Sequence, residues 1–316
     1  MERTIVKINK EAVTANARGS RWEELLAAFI ATQDVRESSR RLYARTLKLY
    51  FEWIEEEGKR LSELSRTDLL EYKDSLFAKG LSSLSVSNYI TPLRKFYEWA
   101  EAEKLYPNIA KGLKTPPRKQ AFKKQHLTDE EGKALLAHFQ EEGLRNYAIV
   151  NLMLRTGLRT IEVVRANVGD ITFKGGRRIM RVWGKGRSER DEFVILTEKA
   201  YEPIAQYLAT RKGAKAGEPL FSADSHRNTG ERLTTRTISG ICKRGLQAIG
   251  LDGREYTAHS LRHTTAVSIL LQGGNISEAQ AVLRHASPTT TQIYTESIKE
   301  DMRLRNSTEA LLDNMF

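Results

Sequence analysis

Apolar residues recur at helical spacing from about residue 20 onward. Trp22, Leu25, Leu26, Phe29 and Ile30 mark one face of a first helix, and Tyr43, Leu47, Tyr50 and Ile54 a second, which stops near Gly58. A third follows Ser65, a good N-cap with Asp68 in its first turn, and carries Leu69, Tyr72 and Leu76 before Gly80. Ser82, Ser83 and Ser85 open a fourth, with Val86, Tyr89, Ile90, Leu93 and Tyr97 along it. Four amphipathic helices with short connections predict a small bundle.

The pattern then changes. Residues 111–125, KGLKTPPRKQAFKKQ, hold Lys111, Lys114, Arg118, Lys119, Lys123 and Lys124 and no acid. Pro116 and Pro117 forbid helix there and favour an extended strap. Such a run is either an ordinary solvated linker or a strap lying along a polyanion. A second region opens at Thr128, an N-cap followed by Glu130 and Glu131, with helical patterns through Leu135 and Leu136 and from Tyr147 to Leu154. RIMRVW (178–183) and DEFVIL (191–196) have strand character, and GKGRSER between them makes a hairpin with a longer loop. Beyond about residue 198 the pattern is again helical, broken at Gly213, Gly230, Gly253 and Gly273–Gly274. The expected organisation is a tail (1–19), a helical domain (20–107), a basic linker (108–125), a mainly helical domain with a small antiparallel sheet (126–305) and a C-terminal tail (306–316).

Composition narrows the function. The 316 residues are enough for two cores, and 40% hydrophobic with 29% charged residues fits an ordinary globular chain. One cysteine, Cys242, excludes an intrachain disulfide framework and a cysteine-rich zinc module, which points to a reducing compartment. The charged, mixed start does not read as a secretory signal, and no apolar run approaches the ~20 residues of a membrane span, so a cytoplasmic location is expected. Lys plus Arg number 51 against 40 Asp plus Glu, a formal +11 that favours a polyanionic partner through counterion release.

Four segments of the second region carry candidate chemistry. TGLRTIEVV sets Arg159 and Glu162 three apart at a helix start. GKGRSER presents Lys185 between two glycines. TAHSLRHTTA places His259, Arg262 and His263 within about one turn, and LRHASPTTTQIYT places His285 nine residues before Tyr294. Each residue alone has an ordinary structural explanation: an ion pair, an exposed turn lysine, a packed histidine, a half-buried tyrosine. Zinc is disfavoured, because Ser260 stands where H-E-x-x-H needs glutamate and Arg262 would place a cation beside the metal. Around a phosphodiester the set makes joint sense. A phenol with a free pKa of about 10 needs a proton acceptor and a positive field to attack phosphorus. Two arginine forks suit the non-bridging oxygens, and a lysine can protonate the departing 5′ oxygen. Histidines can donate to the phosphate or accept the tyrosine proton. No metal or other cofactor is required.

In this order, TGLR, GKGRSER, HSLRH and LRHASPTTTQIYT resemble the signature boxes of the tyrosine site-specific recombinase (phage integrase, Xer-like) family, and the resemblance spans roughly residues 20–300. It implies a SAM-like core-binding domain and a catalytic domain forming a C-shaped clamp on double-stranded DNA. It makes Tyr294 the nucleophile of a 3′-phosphotyrosyl link, Arg159 and Arg262 the phosphate-binding pair and Lys185 the general acid. His259 is then the proton-handling histidine, His285 a phosphate contact and Glu162 a supporting acid, while His263 is structural. It also implies four protomers on two core sites exchanging strands through a Holliday junction, the tail after Arg305 docking either on its own domain or on a neighbour. Three positions depart from the family pattern. Arg284 stands where glycine is usual, and Ile161 and Ala166 replace a small residue and a leucine; these are expected to touch packing and regulation. The stretch before residue 20 is too short for a separate arm-binding domain, so simple core sites are expected. Rival readings are a monomeric type IB topoisomerase and a non-catalytic DNA-binding protein.

Overall fold

The computed structural model describes residues 21–116, 125–183, 192–224, 229–284 and 298. The chain divides into two compact units, one within Met1–Gln120 and one within Ala121–Phe316.

Among its described residues the first unit contains four α-helices: α1 (Arg21–Thr32), α2 (Glu37–Glu56), α3 (Arg66–Ala78) and α4 (Ser83–Ala102). Local chemistry sets their ends. Gly58, at φ +64°, turns the chain out of α2 in a conformation that a side chain would disfavour. At the start of α3, Asp68 Oδ2 accepts from the Ser65 backbone N–H at 2.8 Å, so its carboxylate meets the positive end of the helix. The apolar stripes then meet in an aromatic core. The Phe96 ring packs edge-on against Phe29 (centroids 5.7 Å) and Phe51 (5.4 Å), and the Tyr50 and Tyr97 hydroxyls satisfy each other at 2.8 Å inside it.

Residues after α4 depart from the expected strap. Ala110 and Leu113 are buried in this core, and Arg66 donates to the carbonyls of Lys111 and Gly112. Burying one leucine fastens the chain more firmly than its flanking prolines extend it, so the stretch to Pro116 belongs to the bundle. Lys111 and Lys114 are exposed; Arg118, Lys119, Lys123 and Lys124 lie outside the described residues.

The second unit is built on α5 (Asp129–Glu142) and α6 (Leu144–Thr156). Thr128 and Glu131 form a reciprocal capping box at the start of α5. Every residue from Ala148 to Met153 is buried, so α6 is the spine of this unit. The short α7 (Thr160–Arg165) follows, and then a three-stranded antiparallel sheet of β1 (Ile171–Lys174), β2 (Arg177–Val182) and β3 (Glu192–Ile195). Met180 of β2 pairs with Ile171 on one side and Val194 on the other. The sequence reading finds β2 and β3 and misses β1, although Gly175 and Gly176, both at positive φ, form the two-residue turn that joins β1 to β2.

The helices α8 (Glu198–Thr210), α9 (Thr235–Ala248), α10 (Ala258–Leu271) and α11 (Ile276–Leu283) complete the unit. The described residues between α8 and α9 are not helical, contrary to the sequence expectation. Pro219 bridges to Asn167 and Arg232 to Ser222 in antiparallel fashion, and Arg232 donates to the Val164 and Ala166 carbonyls. Three glycines and a proline in this stretch leave little for a helix to build on. Cys242 of α9 is fully buried, and burial pushes its thiol up to about 12. Among the described residues no helix is long and apolar enough to cross a membrane.

Since Phe96 contacts aromatic neighbours from three helices, Phe96→Ala should lower the stability of the first unit by about 3–5 kcal/mol. Urea denaturation of the full chain, followed by tryptophan fluorescence, measures it, because Trp22, Trp53 and Trp99 all report on this core.

Candidate active site

The site grows from the end of α6. Its last turn leaves carbonyls without helical partners, and Gly157 caps it at φ +62°, ψ +24°, its N–H returning to the Met153 carbonyl. Glycine is required here twice over. A Cβ at this position would sit 2.5 Å from Leu283 Cδ2 and 3.4 Å from Thr265 Cγ2, so α6, α10 and α11 close on this point only because nothing projects from it.

Two residues on, Arg159 is the N-cap of α7 and Glu162 its third residue. The glutamate reaches back: Oε2 accepts the Arg159 backbone N–H at 2.8 Å, and Oε1 accepts Arg159 Nη1 at 2.7 Å. A single carboxylate thus caps the helix and orients the guanidinium. The Glu162 side chain is fully buried, whereas that of Arg159 is 29% exposed. The pair that sequence alone allows to be an ordinary ion pair is a buried acid presenting a partly open cation.

Arg262 comes from α10, whose start is fixed by Thr257 and Ser260; the Ser260 hydroxyl accepts the Thr257 N–H at 3.1 Å. Arg262 is 1% exposed. Nη1 donates to the Gly157 carbonyl and Nη2 to the Leu283 carbonyl at 2.5 Å. A permanent cation thereby meets the negative ends of α6 and α11 together. His263 is buried, its ring edge-on to His126 at 5.4 Å, while His259 is exposed in the first turn of α10. Two histidines facing such different surroundings do not form a metal pair, and among the described residues no three metal-ligating side chains cluster.

A third arginine enters, one that the sequence reading expects to touch packing and regulation. Arg284 follows the last residue of α11 at φ +54°, ψ +49°, the left-handed conformation that explains why glycine suits this position. For an arginine this costs roughly 1 kcal/mol. Its side chain, 5% exposed, turns inward so that Nη2 meets Glu162 Oε2 at 3.0 Å, Nη1 donates to the Val282 carbonyl at 2.6 Å, and Nε lies 3.9 Å from Glu192 Oε2 at the start of β3. The signal was an arginine at a glycine position beside a box that holds a buried acid.

Glu162 is therefore held by two guanidiniums. Burial pushes its carboxyl upward, but Arg284 and Arg159, with the Arg159 N–H, outweigh burial and hold it below the ordinary carboxylate range. For Arg284, burial lowers the pKa and Glu162 opposes it; an arginine starts high enough to remain a cation at neutral pH. The site as described joins Arg159, Glu162, Arg262 and Arg284 where α6, α7, α10 and α11 meet. His259 stands on the first turn of α10. Lys185, His285 and Tyr294 lie outside the described residues: Lys185 belongs to the segment joining β2 to β3, and His285 directly follows Arg284.

A helical bundle followed by a mainly helical unit with a three-stranded antiparallel sheet is the two-domain fold of solved tyrosine recombinases. The chain belongs to the phage integrase family, whose family model matches residues 125–301, and residues 23–104 match the phage integrase N-terminal SAM-like domain. It is 26% identical over 264 residues to the tyrosine recombinase XerD of Vibrio cholerae, covering 83% of this chain and 86% of that protein. It is 30% identical over 278 residues to XerD of Halalkalibacterium halodurans, covering 83% and 87%. In fold it is similar to the XerH site-specific recombinase solved bound to a palindromic difH substrate as a post-cleavage complex, with a TM-score of 0.70 at 22% identity over 91% of this chain and 84% of that one.

Two outcomes follow. Gly157→Ala should destabilise the second unit by about 1–3 kcal/mol, since it adds a left-handed penalty to an overlap with Leu283; thermal melting against wild type reads it. Glu162 carries a folded-state pKa below its unfolded value of about 4.3, so its contribution to stability is complete above that value and lost as pH falls through the depressed pKa. Glu162→Gln should cost about 3 kcal/mol at pH 7, where two cations lose their partner, and the difference from wild type should shrink in acid. Urea unfolding from pH 7 to pH 3 measures both; a gap that does not vary with pH would contradict the assignment.

Proposed function

We propose that this chain cleaves and rejoins DNA at specific core sites through a 3′-phosphotyrosyl intermediate. Tyr294 Oη attacks the scissile phosphorus, the bond to the 5′ oxygen breaks, and Lys185 gives that oxygen its proton while His259 receives the phenolic one. Arg159 and Arg262 bind the non-bridging oxygens, whose charge grows in the transition state; losing one such preorganised donor typically costs about 3 kcal/mol. His285 adds a contact to the phosphate, and Glu162 sets the angle of Arg159. Phosphodiester energy is stored in the new bond, so rejoining needs neither metal nor nucleotide.

The observation that carries this reading is the meeting of Arg159 and Arg262 on one helix junction. Arg159 is held by a carboxylate yet partly exposed, and Arg262 is tied to the carbonyls of Gly157 and Leu283. Cations held so firmly present a fixed field to a polyanion at little cost in reorganisation. The formal charge of +11 supports DNA as the partner, as does the likeness in fold to a recombinase solved on its DNA substrate. On two core sites four protomers exchange strands through a Holliday junction, the tail at 306–316 coupling neighbours. Integration and excision of a mobile element, or resolution of dimeric replicons, are the roles this chemistry serves.

The test is covalent capture. The full chain is incubated with nicked duplexes of randomised core sequence, in which cleavage releases a short strand and strands the enzyme on DNA. A denaturing gel should show protein-linked DNA with wild type and none with Tyr294→Phe, while a native gel shows DNA binding retained. Equal amounts of linked DNA from both proteins would sink the nucleophile assignment. Plasmid relaxation without two-site recombination would instead favour a topoisomerase.

A further inference from the structure

Arg284 has the least ordinary position in the described structure. It is one of two non-glycine residues at positive φ, the other being Lys104, and its long side chain is folded inward rather than into solvent. Nothing about ending a helix requires this, because glycine would adopt the same backbone without strain. What the arginine adds is at its far end. Its guanidinium joins Glu162, the acid that orients Arg159, to Glu192, which opens β3 at the base of the hairpin whose loop carries Lys185.

We infer that Arg284 is a positioning residue for strand cleavage: by holding Glu162 Oε2, with its Nε 3.9 Å from Glu192, it fixes the carboxylate that orients the Arg159 guanidinium. This rests on the phosphotyrosine reading above. Its guanidinium is taken up by Glu162 and the Val282 carbonyl, with Glu192 beside it, so it acts through its partners. The geometry divides the carboxylate between two cations. Oε1 serves Arg159 Nη1, while Oε2 serves the Arg159 backbone N–H and Arg284 Nη2. With Oε2 occupied, Glu162 holds the Arg159 guanidinium by one contact, which leaves that fork's other face for a phosphate. Without Arg284, Oε2 would be held by the Arg159 backbone N–H alone and could turn toward the Arg159 fork, drawing it from the phosphate. The charged groups acting on Glu162 are Arg284 and Arg159, and Glu192 faces Arg284 from β3. Removing Arg284 therefore leaves a buried acid without the largest of the interactions that offset its burial, so its proton should bind more readily.

Three full-length proteins decide it: wild type, Arg284→Gly and Arg284→Lys. Glycine accepts the backbone conformation, and lysine keeps the charge, so at least one variant retains the fold. On a nicked duplex captured by wild type, Arg284→Gly should form covalent complex about ten- to a hundredfold more slowly at pH 7, the scale expected when a reacting group is misplaced. Its DNA affinity should match wild type, the acid limb of its pH–rate profile should move upward, and Arg284→Lys should recover most of the rate. A wild-type rate and pH profile in Arg284→Gly would overturn the inference. A second readout needs no activity: Glu162, labelled at its carboxyl carbon and assigned with Glu162→Gln, should titrate higher in Arg284→Gly than in wild type, and identical titrations would also overturn it. Should wild type capture no DNA, the phosphotyrosine reading falls, while this titration still decides whether Arg284 governs Glu162.

Discussion

A carboxylate with no access to water, held between two guanidiniums and a backbone N–H, is the interaction on which the catalytic unit turns. An isolated charge in that position would be costly, and each partner offsets the cost only while the others stay in place. Glu162 therefore couples elements distant in sequence: the start of α7, the residue after α11 and, through Arg284, the opening of β3. Arg262 performs the complementary task beside it, a buried cation whose partners are carbonyls at two helix ends. One knot centres on an anion and the other on a cation, and they share the junction between Gly157 and Leu283. Fixed charges of this kind suit chemistry in which negative charge builds on phosphate oxygens and water must not do the work of solvation.

Packing explains why the junction closes. The absence of a side chain at Gly157 lets Leu283 and Thr265 approach the chain, and without that contact the Leu283 carbonyl would not reach Arg262. The signature TGLR thus encodes a left-handed turn and a void at Gly157, a buried leucine at Leu158 and a cation at Arg159, and only the last is chemical. In the bundle the corresponding work is done by aromatic rings, which fill a small core with few residues, the Tyr50 and Tyr97 hydroxyls pairing within it.

Much of this was legible beforehand. The bundle helices were readable because apolar residues at three- and four-residue spacing coincide with serine caps and glycine stops, two independent signals agreeing at Ser65 and Gly58. Arg159, Glu162 and Arg262 stood out because they make joint sense around a phosphodiester and fall in ordered boxes that resemble a known family. What escaped depended on tertiary contacts. β1 is four residues long with two exposed positions, too short for alternation to speak, although its Gly–Gly turn was available. The stretch after α8 looked helical because periodicity there competes with glycines and bridges that only the fold reveals. The docking of Leu113 was hidden behind lysines and prolines, and the reach of Arg284 depends on a backbone angle that no spacing rule reports.

The sealed environment of Cys242 has a practical consequence. Its sulfur sits in the apolar interior of the second unit with a thiol too weakly acidic to react near neutrality. It is also the chain's sole cysteine. A cysteine engineered onto the surface of either unit would thus be the one attachment point for maleimide dyes or nitroxides, with no background to subtract. Paired labels, one per unit, would turn the chain into a ruler for whatever rearrangement accompanies its encounter with a duplex.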